Sequence, residues 1–312
     1  MTTQSIPLAL EAVCGCVPAT IVDNRAILAE LVGAAKADAL VKSTGFPFRR
    51  IAAPGITVFD LALPAARRAL ANVDPATIGG IVVVSFSAPD RFPALSVRLH
   101  HALGLPPDAA ALDLSLACSG YPYGLFVAGQ LASATGRRVL LVDGDVQSAH
   151  VAGSDVNTLA VMSDAATATL LAPGGTPASF TFLTDGAAAD VLRCGTDGTI
   201  RMDGFGVFRF VAGPVTHFLK ELCAVSSPPD LFVPHQANMY MVRQLAKSLG
   251  LEDRLRTSGE RFANPGSCSV PLTLAVTEGM GRALLAGFGA GLAAAAAFVD
   301  IPSTLRRSLA EV

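Results

Sequence analysis

The chain has 312 residues, 51% of them apolar, 15% charged and none of them tryptophan, with a formal net charge of −2. Such a length holds one large α/β unit or two domains of ordinary size, and this composition suits layered elements buried on more than one face. The charge gives no basic field for nucleic acid, and the most apolar tract, residues 284–299, falls short of the ~20 residues that span a membrane.

In chain order, Met1 to Pro7 lacks a basic stretch followed by an apolar core, so no signal peptide is expected. Asp23 caps a helix near Arg25 to Ala35, and Val58 to Val73 forms a second helix with Arg67 and Arg68 on its exposed side. Gly80 to Phe86 is too continuously apolar to face water, which predicts a central strand. Ala94 to Leu103 reads as a helix, Ala110 to Leu116 as a strand, Ser119 to Ala134 as a buried helix and Arg138 to Val142 as a strand. Ser163 to Ala172 supplies another strand, and Pro173-Gly174-Gly175 a turn near the midpoint.

The second half repeats this grammar. It holds helix Val207 to Cys223, strand Leu231 to Val233, helix Met239 to Leu249, helix Val270 to Leu285 and a closing strand Ala293 to Val299, with Gly287, Gly289 and Gly291 favouring a turn before it. Alternating strands and helices imply two similar α/β halves packed together, divided at 1–172 and 173–312. The six cysteines, at 14, 16, 118, 194, 223 and 268, show neither a disulfide framework nor zinc spacing, so a reducing cytoplasm is the expected compartment.

Cys118 sits in Leu116-Ala117-Cys118-Ser119-Gly120-Tyr121, between a predicted strand and a predicted helix. A helix N-terminus carries about half a positive charge, and it can draw a thiol pKa from about 8.5 into the range of about 3.5 to 7.5. A cysteine in an apolar run is ordinarily a small hydrophobe. Cys118 is set apart by two polar motifs downstream, Val233-Pro234-His235-Gln236-Ala237-Asn238 and Phe262 to Pro271, the latter holding the turn sequence Asn264-Pro265-Gly266.

These segments resemble ketoacyl-ACP synthase III of the thiolase superfamily over nearly the whole chain. Ala117 to Tyr121 resembles the nucleophile motif, Val233 to Asn238 matches the histidine motif residue for residue, Asn264 to Pro271 follows the asparagine motif loosely, and Gly287 to Gly291 resembles the glycine-rich loop. Supporting similarity lies in Met162 to Ala166 and in Arg201 to Gly204 with Val207 and Phe208.

The resemblance implies a thiolase-like α/β fold in five αβαβα layers, a homodimer, and a Cys118, His235, Asn264 triad. It implies that Cys118 takes an acyl group from acyl-CoA, and that His235 and Asn264 stabilise the enolate formed when malonyl-ACP or malonyl-CoA loses carbon dioxide. By position, the backbone of Cys118 and Ala290 would form the oxyanion hole. Phe92, Phe208 and Phe288 would contact substrate, with Phe92 reaching either its own pocket or a neighbour's. Arg209, Arg243 and Lys247 would meet an acidic acyl carrier protein. No metal or redox cofactor is called for.

Three features depart from the typical member. There is no tryptophan to stack on the CoA adenine, the asparagine motif reads Ala263-Asn264-Pro265-Gly266, and Tyr240 stands where relatives place a basic docking residue. They point to a specialised paralogue in fatty-acid or secondary metabolism. Two alternatives stay open: discharge of the acyl group to an alcohol, amine or water without condensation, and a non-catalytic partner subunit.

Overall fold

A computed structural model describes residues 2–312. Among these, nine strands form one mixed sheet, running from Leu231–Pro234 through Gly281–Gly289, Ala293–Ile301, Ala165–Thr184, Arg138–Asp145 and Ile78–Val84 to Ala110–Leu114. Gln4–Val17 pairs antiparallel with Ala165–Thr184 and parallel with the closing strand Arg306–Glu311.

Two of these strands are long, and they fold the sheet into two wings. The first half of Ala165–Thr184 pairs with Arg138–Asp145, and its last residues pair with Ala293–Phe298. Between the two runs the register against Gln4–Val17 shifts, so that Leu8 faces Thr176 while Ala9 faces Ala172. The expected turn at Pro173-Gly174-Gly175 is therefore a bulge within one strand. Gly174 and Gly175 take φ of 80° and 91°, and a Cβ on Gly175 would lie 2.5 Å from Leu8 O. Glycine serves here because the chain must bend where another backbone already lies. The expected division at 172/173 falls inside this strand.

Helices occupy three layers around the wings. The helix Gly120–Thr135 and the shorter Ser269–Val276 lie between them, where Tyr121, Leu125, Ala128, Val270 and Leu274 join Val82 and Val84 of one wing to Val233 and Leu285 of the other. Alternation puts Ile81 and Val83 on the opposite face, under the helices Val58–Ala69 and Leu95–Ala102. On the far side Phe232, Leu284, Ala286 and Ala294 pack against Val215, Phe218, Met241 and Leu245. The order helix, sheet, helix, sheet, helix follows, and it explains why central strands read as unbroken apolar runs.

Most predicted elements form within a few residues of their expected ends. Asp23 caps the helix Asn24–Val32 by accepting from the N–H groups of Arg25 and Ala26, and the helix at Met239–Leu249 has the predicted bounds. Two further readings are corrected. The helix predicted over Val270 to Leu285 ends at Val276, and Gly281–Gly289 is a strand. The apolar run fits either element, but here it finds partners in Leu231–Pro234 and Ala293–Ile301. The helix over Val207 to Cys223 carries a π-helical segment, Val211–Val215, around Pro214. Gln4–Val17, the helix Ala34–Thr44 and Arg306–Glu311 went unread.

Leu125 is fully buried in the middle layer. Leu125→Ala should lower the unfolding free energy by about 2–5 kcal/mol, read from urea denaturation; a loss below about 1 kcal/mol would mean that the helix is not held between two sheets.

Candidate active site

Cys118 closes the turn between Ala110–Leu114 and Gly120–Thr135 and is 5% exposed. The strand Gly281–Gly289 runs directly against it. A Cβ on Gly289 would stand 2.8 Å from Cys118 Cβ, and one on Gly287 would stand 2.9 Å from Ser119 O and 3.0 Å from Cys118 O. The glycines let one backbone rest on the other, so Cys118 belongs to a junction of two distant segments.

His235 follows Leu231–Pro234 and extends its ladder, donating its N–H to Ala286 O at 2.7 Å. Its ring is held on two sides. Nδ1 is hydrogen-bonded to Ser269 Oγ at 2.7 Å, and the Phe288 ring meets it edge-on with centroids 5.4 Å apart. Ser269 Oγ also accepts the N–H of Gln236 at 3.3 Å, which leaves the hydroxyl proton free to point at Nδ1. With the hydroxyl donating to Nδ1, the ring proton sits on Nε2.

Asn264 is fixed through its backbone. Its N–H donates to Val161 O at 3.1 Å, and its C=O accepts from Ser163 N at 3.0 Å and Gln147 Nε2 at 2.8 Å. Its Oδ1 accepts the N–H of Gly266 at 3.0 Å. The expected turn is present, and it uses only the oxygen of the amide, so the NH2 remains available to donate.

The three residues line one cavity of about 90 Å³, together with Met162, Phe288 and Gly289. A second cavity, of about 250 Å³, also reaches Cys118 and is lined in part by Phe86, Gln147, Ile200 and Ala290. Ala290 and Cys118 thus border the same cavity, Ala290 from the glycine-rich end.

The electrostatics correct one expectation. Burial, and then the negative charge of Asp145, push the Cys118 thiol up to about 12, opposite to the lowering expected from the helix N-terminus. Asp145 is itself pushed up to about 7 by burial, against the pull of donors from Phe86, Ser87 and Ser85. Burial drives His235 down to about 3, so its imidazole is neutral. The resting pair is a thiol and an uncharged ring.

Other expected contacts are placed differently. Phe92 is 87% exposed in the connection between Ile78–Val84 and Leu95–Ala102, and it borders neither cavity of its own chain. Phe208 lines a surface groove with Tyr240 and Met241, since the helical turn after Gly204 carries it outward. Arg209 borders a cavity with Asp185 and Asp203 that includes neither Arg243 nor Lys247, and Arg243 is already paired with Glu260 at 2.9 Å. The three cations therefore do not line a common cavity. Sequence reading missed Ser269, Gln147 and Asp145; the motif carrying Asn264 contains Ser269, whereas Gln147 and Asp145 carried no local signal. Among the described residues, no cluster of three or more His, Cys, Asp or Glu has the arrangement of a metal site.

Residues 112–186 match the family described as 3-oxoacyl-[acyl-carrier-protein (ACP)] synthase III, and residues 226–301 match its C-terminal part. Similar proteins include the beta-ketoacyl-[acyl-carrier-protein] synthase III of Sphingopyxis alaskensis, 32% identical over 90% of this chain and 92% of that protein. Synthase III 2 of Streptomyces coelicolor is 34% identical over 89% of this chain and 88% of its own. Among solved structures, a 3-oxoacyl-(acyl-carrier protein) synthase from Burkholderia xenovorans LB400 superposes with a TM-score of 0.95 at 27% identity, covering 100% of this chain and 99% of that one. The priming beta-ketosynthase of the R1128 polyketide biosynthetic pathway gives 0.86 at 29% identity, covering 97% and 98%.

Because the thiol pKa is raised, alkylation of Cys118 by iodoacetamide, followed by peptide mass mapping, should climb about tenfold per pH unit from pH 7 to 9 without levelling. Asp145→Asn should speed it at fixed pH by removing the opposing charge. A plateau beginning below pH 7 would show that the helix N-terminus dominates instead.

Proposed function

The chain belongs to the 3-oxoacyl-[acyl-carrier-protein] synthase III family, and from that premise we propose that it is a condensing acyltransferase working through Cys118, His235 and Asn264. The observation that carries this reading is the single cavity these three side chains line, although they are widely separated in sequence.

In the first step Cys118 loses its proton as it attacks the carbonyl of an acyl-CoA thioester. The tetrahedral oxyanion is held by the backbone N–H groups of Cys118 and Ala290, the carbon–sulfur bond to CoA breaks, and the departing thiolate takes up a proton. The high thiol pKa supports deprotonation coupled to substrate arrival rather than a standing thiolate. Such a nucleophile is protected from adventitious alkylation and oxidation between turnovers.

In the second step a malonyl thioester, on acyl carrier protein or CoA, occupies the smaller cavity. Loss of carbon dioxide leaves an enolate, whose oxygen accepts from His235 Nε2–H and the Asn264 amide. A neutral imidazole with its proton on Nε2 suits this donor role. The enolate carbon attacks acyl-Cys118, the thioester bond breaks, and the 3-ketoacyl product leaves the thiolate to be reprotonated.

The exposure of Phe92 supports a place in the acyl cavity of a second copy within a homodimer. Arg243 and Lys247, on successive turns of Met239–Leu249, remain the basis of the proposed carrier-protein contact. The chain halves, 1–172 with the nucleophile and 173–312 with His235 and Asn264, are the proposed functional units. Among the described residues no helix is long and apolar enough to cross a membrane; the proposed compartment is the cytoplasm, on the cysteine usage given above. The relatives lend nothing to transfer without condensation or to a non-catalytic subunit.

Incubation with a panel of acyl-CoAs should add one acyl mass to the intact protein, and Cys118→Ala should abolish it. His235→Ala and Asn264→Ala should still load the acyl group, yet release carbon dioxide from malonyl-ACP about 10²–10³-fold more slowly. An acyl adduct discharged without carbon dioxide release would overturn the condensation reading.

A further inference from the structure

The larger cavity beside Cys118 has an uneven floor. Its walls are apolar, formed by Phe86, Leu116, Leu192 and Ile200, while the polar residues Ser115, Arg193 and Cys194 are exposed at its mouth. At depth, next to the 5%-exposed Cys118 and the 3%-exposed Met162, lies one polar side chain, Gln147, which is 1% exposed.

The amide of Gln147 has a determined orientation. Its Nε2 donates to Ser163 O at 2.9 Å and to Asn264 O at 2.8 Å. Both partners are carbonyls that can only accept, so the nitrogen must face them. Among the described residues no group donates to Oε1, and a Cβ on Gly266 would sit only 3.2 Å from that oxygen. The cavity is open to the surface and Oε1 keeps some exposure within it, so an incoming donor can reach this oxygen, and a cavity built only for hydrocarbon has no use for such an acceptor.

Building on the acyl-enzyme reading above, we propose that Gln147 is a specificity-determining residue, whose Oε1 accepts a hydrogen bond from a hydroxyl or amino group on the acyl chain carried by Cys118. The substrate class is then an acyl group bearing a donor a few bonds from the thioester carbonyl, in preference to a plain alkyl chain. The same side chain ties the loop holding Asn264 to the acyl cavity, so it also acts as a positioning residue for the second step.

The acylation half-reaction separates the two roles, because it does not call on Asn264. Time-resolved intact-protein mass spectrometry of the full chain would compare butyryl-CoA with its 2-, 3- and 4-hydroxy and 3-amino counterparts. At least one substituted chain should load Cys118 about five- to tenfold faster than butyryl. In Gln147→Leu and Gln147→Met that ratio should fall to about one or invert, a comparison made within each variant and so insensitive to partial loss of folded protein. Gln147→Leu should also slow carbon dioxide release more than acyl loading. Equal or faster loading of butyryl by the unaltered protein, or a preference that survives both substitutions, would overturn the proposal while leaving the acyl-enzyme intact. Absence of any adduct with any thioester would instead overturn the acyl-enzyme reading on which it rests.

Discussion

The close passage of one glycine-bearing strand across Cys118 governs the rest of the structure. Gly287 and Gly289 bring the end of Gly281–Gly289 to within contact of the backbone and Cβ of Cys118, a distance no side chain permits. That strand also accepts the N–H of His235 through Ala286 O. One element therefore sets the separation between the turn that carries the sulfur and the strand end that carries the imidazole. The sulfur is thereby sealed from bulk water except through the two cavities.

Sealing determines the electrical character of the site. Removing a thiol and an imidazole from water favours their uncharged forms, and the nearby Asp145 adds to the effect on the sulfur. A strand-to-helix turn alone suggests a thiolate, yet desolvation outweighs a partial dipole charge when the sulfur is buried. The consequence is a site whose thiol and imidazole are both uncharged and whose polar groups are oriented beforehand. Ser269 holds the ring, while Gln147, Ser163 and Val161 hold the Asn264 backbone, so little needs to reorganise as negative charge develops.

The wings serve the site by rigidity. The middle helices, Gly120–Thr135 and Ser269–Val276, touch both wings, and each begins beside a catalytic candidate: Cys118 precedes the first, and Ser269 opens the second. The bulge in Ala165–Thr184 allows one strand to serve both wings, which keeps their relative placement within a single hydrogen-bonded ladder. Positioned side chains on such a frame can be held to the tolerance that condensation chemistry demands.

Much of this was legible from residue order alone, because the signals were local. Unbroken apolar runs marked the buried strands, Asp23 marked a helix start, and the Cys118, His235 and Asn264 motifs each sit at an element boundary that turn chemistry announces. Where two elements were equally compatible with the residues, order could not choose. Leu284 and Leu285 fit a buried helix as well as a strand, and only pairing with Leu231–Pro234 and Ala293–Ile301 decided it. The bulge at Gly174 and Gly175 looked like a turn because glycine reports a backbone angle and says nothing about what continues beyond. The motifs that carry Cys118, His235 and Asn264 were thus legible in sequence, whereas the protonation of Cys118 and His235, the outward placement of Phe92 and the strut at Gln147 were decided by tertiary structure. Burial and hydrogen-bond partners supplied from distant segments set these properties, and no local pattern encodes them.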